Sequence, residues 1–307
     1  GAFYNIAKIV ATGGLVYLAG ILIEKSTSQG DSLYDANQHA WMIIMAILSA
    51  VMVLLGIYHI FMLPSGGKRA AAEVHRTGKQ VMVELGEVLI DFFRKRHIVY
   101  YICFIILYRF AEGFVMKIVP LFLKTEREMG GLGLSEKEIG LYYGSYGAAA
   151  FVLGSLLAGY YISSRGLKKT LFTLCGIFNL PFLVYTLFAI FQPTNGLLIC
   201  SGIIFEYFGY GFGFVGLTLF MMQQIAPGKH QMAHYAFASG IMNLGVMIPG
   251  MLSGWVCELF EEWFNKPSGY EPFFIFVLIA TIPAFLITYF VPFKYNQDGT
   301  LIEGEKE

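Results

Sequence analysis

Charge is what this sequence has least of. Only 14% of its 307 residues are Asp, Glu, Lys or Arg, where a soluble domain carries about 25%. Lys plus Arg and Asp plus Glu both number 21, so the net charge is zero. That balance excludes the basic surface that a nucleic-acid partner needs and gives no reason to expect a strongly acidic one. Cysteine is sparse as well. Cys103, Cys175, Cys200 and Cys257 each stand inside an apolar run, and none forms a CxxC pair. They read as small membrane hydrophobes, with no metal, no disulfide framework and no cofactor implied. A cleavable signal peptide is not expected, because the first apolar run is too long for an h-region. Gly1 has no Met before it, which points to a start that has been cut.

What the chain does have is apolar length. Over half of it is apolar, at 56%, and the mean hydropathy is +0.62. A helix needs about 20 mainly apolar residues to cross ~30 Å of hydrocarbon. Eight runs reach that length: Phe3–Ile23, Trp41–Met62, Ile98–Phe122, Ile139–Ser163, Thr170–Phe191, Leu197–Gln223, Tyr235–Leu259 and Pro272–Phe293. The expected fold class is therefore all-α and transmembrane, with the lipid bilayer as its first partner.

If Gly1 starts inside, thirteen Lys and Arg residues between the runs fall on the cytoplasmic side and five on the other. The positive-inside rule then puts both ends of the chain in the cytoplasm. Trp41, Trp255 and Trp263 fall towards the outer interface in that orientation, as an aromatic belt requires. One connection is long, residues 64–97. In it Val74, Val81, Leu85, Val88 and Phe92 recur at helical spacing against Glu73, Arg76, Lys79, Glu84, Glu87 and Asp91. That is an amphipathic helix, lying on the inner membrane surface or packed as a linker under the bundle.

Polar residues inside the runs are the candidates for chemistry, since intramembrane charge is costly and is kept for a reason. Arg109 and Glu112 are three apart on one helix face near the middle of the third run. They form either a structural ion pair or a site for a substrate anion or proton. Lys117, nearer the end of that run, can snorkel to the interface. Glu206 is the one acid in the sixth run, about 15 Å deep at the helical rise, with no basic residue one turn away. Desolvation disfavours its charged form, which suits a proton carrier and equally a neutral acid bonded to a neighbouring helix. Asn243, about 12 Å deep, is a further cavity candidate. Tyr142 and Tyr146 share a helix face, and Tyr207 and Tyr210 flank Glu206; all four could stack on sugar rings or simply pack. Gly209, Gly211, Gly213 and Gly216 contain a literal GxGxxG. A dinucleotide fingerprint needs a strand before it and a helix after it, so these glycines read as close helix packing. His230 and His234 fall on an inner loop and read as solvated, and His59 is the one histidine inside a run. An intramembrane enzyme would need a fuller His/Asp or Ser/His set.

Between the fourth and fifth runs stands Gly159-Tyr-Tyr-Ile-Ser163-Ser-Arg165-Gly166-Leu-Lys168-Lys169. It resembles the signature loop of the major facilitator superfamily, which has a glycine, an acid four later, then glycine and paired basic residues. Ser163 replaces the acid, so the charge lock made by that acid in the superfamily is in doubt. Two spans, a basic linker and six spans fit that superfamily's plan of two six-helix halves with the first four helices missing. The spans are then helices 5–12 of twelve: residues 1–63 end the N-terminal half, 64–97 link, 98–293 form the C-terminal half, and 294–307 are a tail. A finer resemblance is to the muropeptide permease (AmpG) family. It rests on Leu107-Tyr-Arg109-Phe-Ala-Glu112-Gly-Phe-Val-Met116, on Phe205-Glu206 before Gly209–Gly216, and on Ala236-Phe-Ala-Ser239 with Pro249-Gly250 and Gly254-Trp255. Tyr207 departs from the family's asparagine.

The resemblance implies a proton-coupled symporter in a bacterial inner membrane, monomeric when full length, that imports cell-wall muropeptides. Its small-molecule substrate and protons would pass Arg109, Glu112, Glu206, Asn243, Tyr142, Tyr146, Tyr207 and Tyr210. Gly159, Arg165, Gly166, Lys168 and Lys169 would form a gating loop. The alternatives are another solute in the same fold, such as a different oligosaccharide or an acyl-carrier metabolite, and a non-transporting membrane sensor or intramembrane enzyme.

Overall fold

A computed structural model describes residues 9–62, 78–296 and 299–302. Lys8, Lys68, Arg69, Glu73, Val74, Arg76, Lys306 and the start of the first run lie outside them. Among the described residues the regular structure is helical, with one isolated antiparallel bridge between Tyr295 and Leu301. In order, the helices are α1 (Val16–Ser28, entered through a π-turn at Ile9–Leu15), α2 (Leu33–Met62), α3 (Gly78–Arg94), α4 (Ile98–Tyr108) and α5 (Phe110–Lys124). They continue as α6 (Glu136–Arg165), α7 (Leu167–Phe191), α8 (Gly196–Ile225), α9 (Gln231–Phe264) and α10 (Tyr270–Tyr289).

Six of these, α2 and α6 to α10, are each long and apolar enough to cross a membrane by length and composition. The third run differs from the expected continuous span. Arg109 has φ −107° and ψ 7°, outside helical geometry, and divides it into α4 and α5. The helix that carries the intramembrane charges is therefore broken at the first of them.

The core is built by α8. It packs most closely against α6 and α7, while α9 packs on α5 and α10 on α4. The glycines of α8 make this possible by facing two neighbours in turn. A Cβ added at Gly211 would collide with the Phe151 carbonyl oxygen of α6, and one at Gly213 would stand 2.7 Å from the Leu174 oxygen of α7. On the facing side of α6, a Cβ at Gly154 would meet the Phe208 carbonyl. This is close packing of small residues between helix backbones, as the reading of the GxGxxG pattern requires. Buried aromatics fill the space beside this seam, among them Tyr101, Phe104, Tyr108, Phe178 and Phe220.

Helix α2 has the opposite character. From Val51 to Met62 every residue is exposed, although the segment is almost wholly apolar. A helix apolar on all sides is a membrane span, so this surface is in contact with lipid or with other spanning helices. In α3, among the residues whose side chains are described, Phe92 alone is buried, and it meets Phe237 and His234 of α9 edge-on or tilted. Met82, Leu85, Leu89 and Phe93 stay exposed.

Replacing Gly211 by valine should destabilise the bundle by about 1–3 kcal/mol, since two backbones must separate to admit the side chain. Gly240→Ala, where an added Cβ meets nothing, should stay within about 1 kcal/mol of the parent. Thermal unfolding of the purified protein compares them; equal midpoints for the two variants would remove the close-approach account of α8.

Candidate functional site

The polar residues of the spanning segments gather around the centre of α8. Arg109, at the α4–α5 break, donates through Nε to Glu112 Oε2 at 2.5 Å and through Nη2 to Oε1 at 2.6 Å. Both residues are buried, at 5% and 3% exposure. A planar guanidinium meeting a carboxylate with two parallel bonds is the strongest geometry such a pair can take. The pair is also held from α8. The guanidinium carbon lies 5.2 Å from the centre of the Phe214 ring, a cation–π contact that desolvation strengthens. Tyr210, one turn before Phe214, lies close enough to interact electrostatically with both Arg109 and Glu112.

Glu206 is not the solitary carboxyl that its own helix suggests. The Tyr185 hydroxyl of α7 donates to its Oε2 at 3.0 Å, and both residues are buried, Tyr185 completely. Beside it, Tyr207 meets Tyr143 of α6 edge to face at 4.9 Å. Tyr143 and Tyr210 each lie within electrostatic range of both Glu112 and Glu206. The two acids thus share one layer of phenols, contributed by α6, α7 and α8.

Other candidates fall elsewhere. Tyr142 is half-buried and Tyr146 is 46% exposed. Both stand within the π-turn Gly140–Tyr146, and their neighbour Tyr143, also half-buried, meets Tyr207 of α8. Asn243 is exposed. It stands one residue from the buried stripe Ala238, Met242, Gly245, Pro249 and Ser253 of α9, about 100° around the helix. The structure does not bring it to the polar centre. Lys117 is exposed.

The loop between α6 and α7 is one residue long. Gly166 joins the helices at φ +82°, a conformation that favours glycine, and Arg165 caps the turn by lying over the Tyr161 ring at 5.1 Å. Lys168 and Lys169 project into solvent, and Gly159 sits half-buried about two turns before Gly166 on α6. His234, read as solvated from the sequence, is buried and bonded at 3.2 Å to the Val88 carbonyl, because α3 folds over it. His230 is half-exposed and 3.6 Å from Asp91. Among the described residues, no three His, Cys, Asp or Glu side chains are grouped to hold a metal ion.

Tyr185, Tyr143 and Phe214 were not among the sequence candidates. Tyr143 stands in a run that also holds Tyr142 and Tyr146, and spacing does not single it out. Tyr185 and Phe214 carry no local signal, being two aromatics among many.

These features define a class: an integral membrane protein, a bundle of apolar helices around a small buried polar centre. No family model matches the chain. Similarity to curated proteins runs through most of it. A transporter named AmpG 1 from Rickettsia felis is 25% identical over 191 residues, covering 62% of this chain and 40% of that protein. Its namesake from Rickettsia bellii is 24% identical over 201 residues, or 65% and 45% of the two chains. The anhydromuropeptide permease of Escherichia coli K12 is 22% identical over 199 residues, or 64% and 37%. Over about two thirds of its length, then, the chain is similar to AmpG-type permeases. Its aligned part spans less than half the length of these relatives.

Removing one partner of the Arg109–Glu112 pair leaves a buried charge. Glu112→Gln should therefore cost about 3–5 kcal/mol of stability. The double change Arg109→Gln with Glu112→Gln should recover most of that loss. Unfolding midpoints of the three proteins decide; a double variant no more stable than the single one would mean that the pair is not what neutralises Arg109.

Proposed function

We propose that this chain is the part of a proton-coupled importer of muropeptides, or of closely related oligosaccharides, that contains the C-terminal six-helix half of a major-facilitator bundle. In this reading residues 1–63 close the first half, 64–97 link the halves on the cytoplasmic side, and 294–307 form a cytoplasmic tail in a bacterial inner membrane. The observation that carries it is the shared phenol layer between two buried acids, in a chain related to an anhydromuropeptide permease.

The chemistry of that layer suits coupling. A proton carrier must hold its proton on one side of the membrane and release it on the other. Burial of Glu206 works against its ionised form, whereas the hydrogen bond from Tyr185 works for it. Small rearrangements of the phenols shift that balance, and alternating access supplies them when one half of the bundle rocks against the other. The Arg109 guanidinium, held by Glu112, Tyr210 and Phe214, serves as the anchor for an anionic group of the substrate. Tyr207 and Tyr210 present ring faces and hydroxyls of the kind that bind sugars. Asn243 and Tyr146, exposed on the described bundle, belong in this scheme to the surface that faces the other half.

In the whole protein, Glu206→Gln keeps the volume and removes the titration. It should abolish accumulation of a labelled anhydromuropeptide driven by an imposed pH gradient, while exchange down a concentration gradient persists. Accumulation at the parental rate would assign coupling elsewhere, with Glu112 next in line. Failure of the parent protein to take up the substrate at all would overturn the reading itself. Orientation has a separate test in a cysteine-free background. Lys229→Cys should react with an impermeant thiol reagent only from the cytoplasmic side and Thr194→Cys only from outside, as thirteen basic residues against five require; the opposite pattern would invert the topology.

A further inference from the structure

At the end of the bundle away from the α6 N-terminus, the turn before α4, the α8–α9 loop and the segment after α10 enclose a cavity of about 350 Å³. Its walls are unusually basic for so apolar a protein. Arg94, Lys95, Lys229, His230 and Lys294 all line it, and the acid on the same wall, Asp91, is already beside His230 at 3.6 Å.

Two of these cations are built in. Lys294 is only 6% exposed, yet among the described residues no carboxylate lies within ion-pair distance of it. Its amino group has the Tyr295 ring 5.2 Å away. Its place is fixed by Gln224, whose side-chain oxygen accepts from the backbone N–H of Lys294 at 2.8 Å and of Tyr295 at 3.0 Å, and whose amide donates to the Tyr295 carbonyl at 2.8 Å. Lys95 is fixed from the other side, donating to the Ile225 carbonyl at 2.6 Å and the Pro227 carbonyl at 2.5 Å. Two carbonyls leave one of its three N–H donors for the cavity.

We infer that this cavity is a binding site for a phosphate-bearing anion, separate from the polar centre of the bundle. A buried ammonium is costly unless it is paired, and folding has placed Lys294, with no carboxylate beside it among the described residues, next to a second ammonium. Burial, and then the Lys294 charge, push Lys95 down to about 8. A phosphate group would satisfy the free donors of both and complete the charge balance with Arg94 and Lys229 at the rim. The ligand can come from two sources, the headgroup of an anionic lipid or a phosphate-bearing solute. Under the proposed topology this end meets both the inner leaflet and the cytoplasm.

The full-length protein in nanodiscs of phosphatidylcholine provides the test, with thermal unfolding followed by tryptophan fluorescence. Inorganic phosphate is titrated against chloride at matched ionic strength, and in a second series phosphatidylglycerol replaces part of the phosphatidylcholine. A rise in midpoint with inorganic phosphate assigns a soluble ligand, and a rise with phosphatidylglycerol alone assigns a lipid. In either case Lys294→Gln and Lys229→Gln should each weaken the apparent affinity about fivefold. Lys229 is exposed on a loop, so its variant serves if the buried substitution prevents folding. A midpoint that neither anion moves, or that moves equally in the parent and in Lys229→Gln, overturns the assignment.

Discussion

The backbone of α8 lies almost against the backbones of α6 and α7, and the rest of the bundle is arranged around that approach. Lipid tails are as apolar as leucine, so burying one more apolar side chain gives little reason for helices to associate in a membrane. Dispersion and close fit have to do it. Gly209, Gly211 and Gly213 let α8 reach Ile177, Phe151 and Phe178 without intervening side chains. At that separation Glu206 of α8 comes within hydrogen-bonding distance of Tyr185 on α7, and Tyr207 within ring contact of Tyr143 on α6. The packing device and the polar centre are therefore one arrangement seen from two sides. Any widening of the seam acts on the hydrogen bonds as well as on the fit.

The same economy governs the charges. Arg109 leaves helical geometry, and in doing so points its guanidinium along both oxygens of Glu112 with Phe214 beneath it. A break in a spanning helix exposes backbone groups to hydrocarbon unless protein surrounds them. Here α8 and α9 do so, with Tyr108 donating to the Gly213 carbonyl at 2.9 Å beside the break. On α5 the next turn has Gly113 pressed on Val246 and Pro249 of α9, where an added Cβ would stand 2.7 Å from either residue. The helix break, the ion pair and the close packing sit within a few residues of each other.

Away from the centre, the basic end is a different environment. Its lysines are held by backbone carbonyls and by one glutamine rather than by acids. The acids elsewhere are spent on short-range pairs at the other end, Lys124 with Glu136 and Lys266 with Glu271. The two ends therefore differ in how their lysines are held, by backbone groups at one and by carboxylates at the other.

By itself the sequence determined that this is a helical membrane protein, because the length of an apolar run and the cost of charge in hydrocarbon are properties of composition and need no partner. The runs from Ile139 to Phe293 became helices close to where their hydropathy begins and ends, whereas the run from Ile98 is split at Arg109; Arg109 beside Glu112 was readable as a pair because three residues is about one helical turn. What needed the folded chain was everything decided between helices. Tyr185 stands 21 residues before Glu206, and nothing local connects them. Tyr143 of α6 meets Tyr207 of α8, a contact set by how the two helices pack and not by spacing within α6. Asn243, deep by arithmetic, was placed on the open side by the stripe of small residues that α9 gives to its neighbours. Depth along a helix is a one-dimensional quantity that the sequence carries. The direction a residue faces depends on which neighbour the helix packs against, and that choice is made by contacts far apart in the chain.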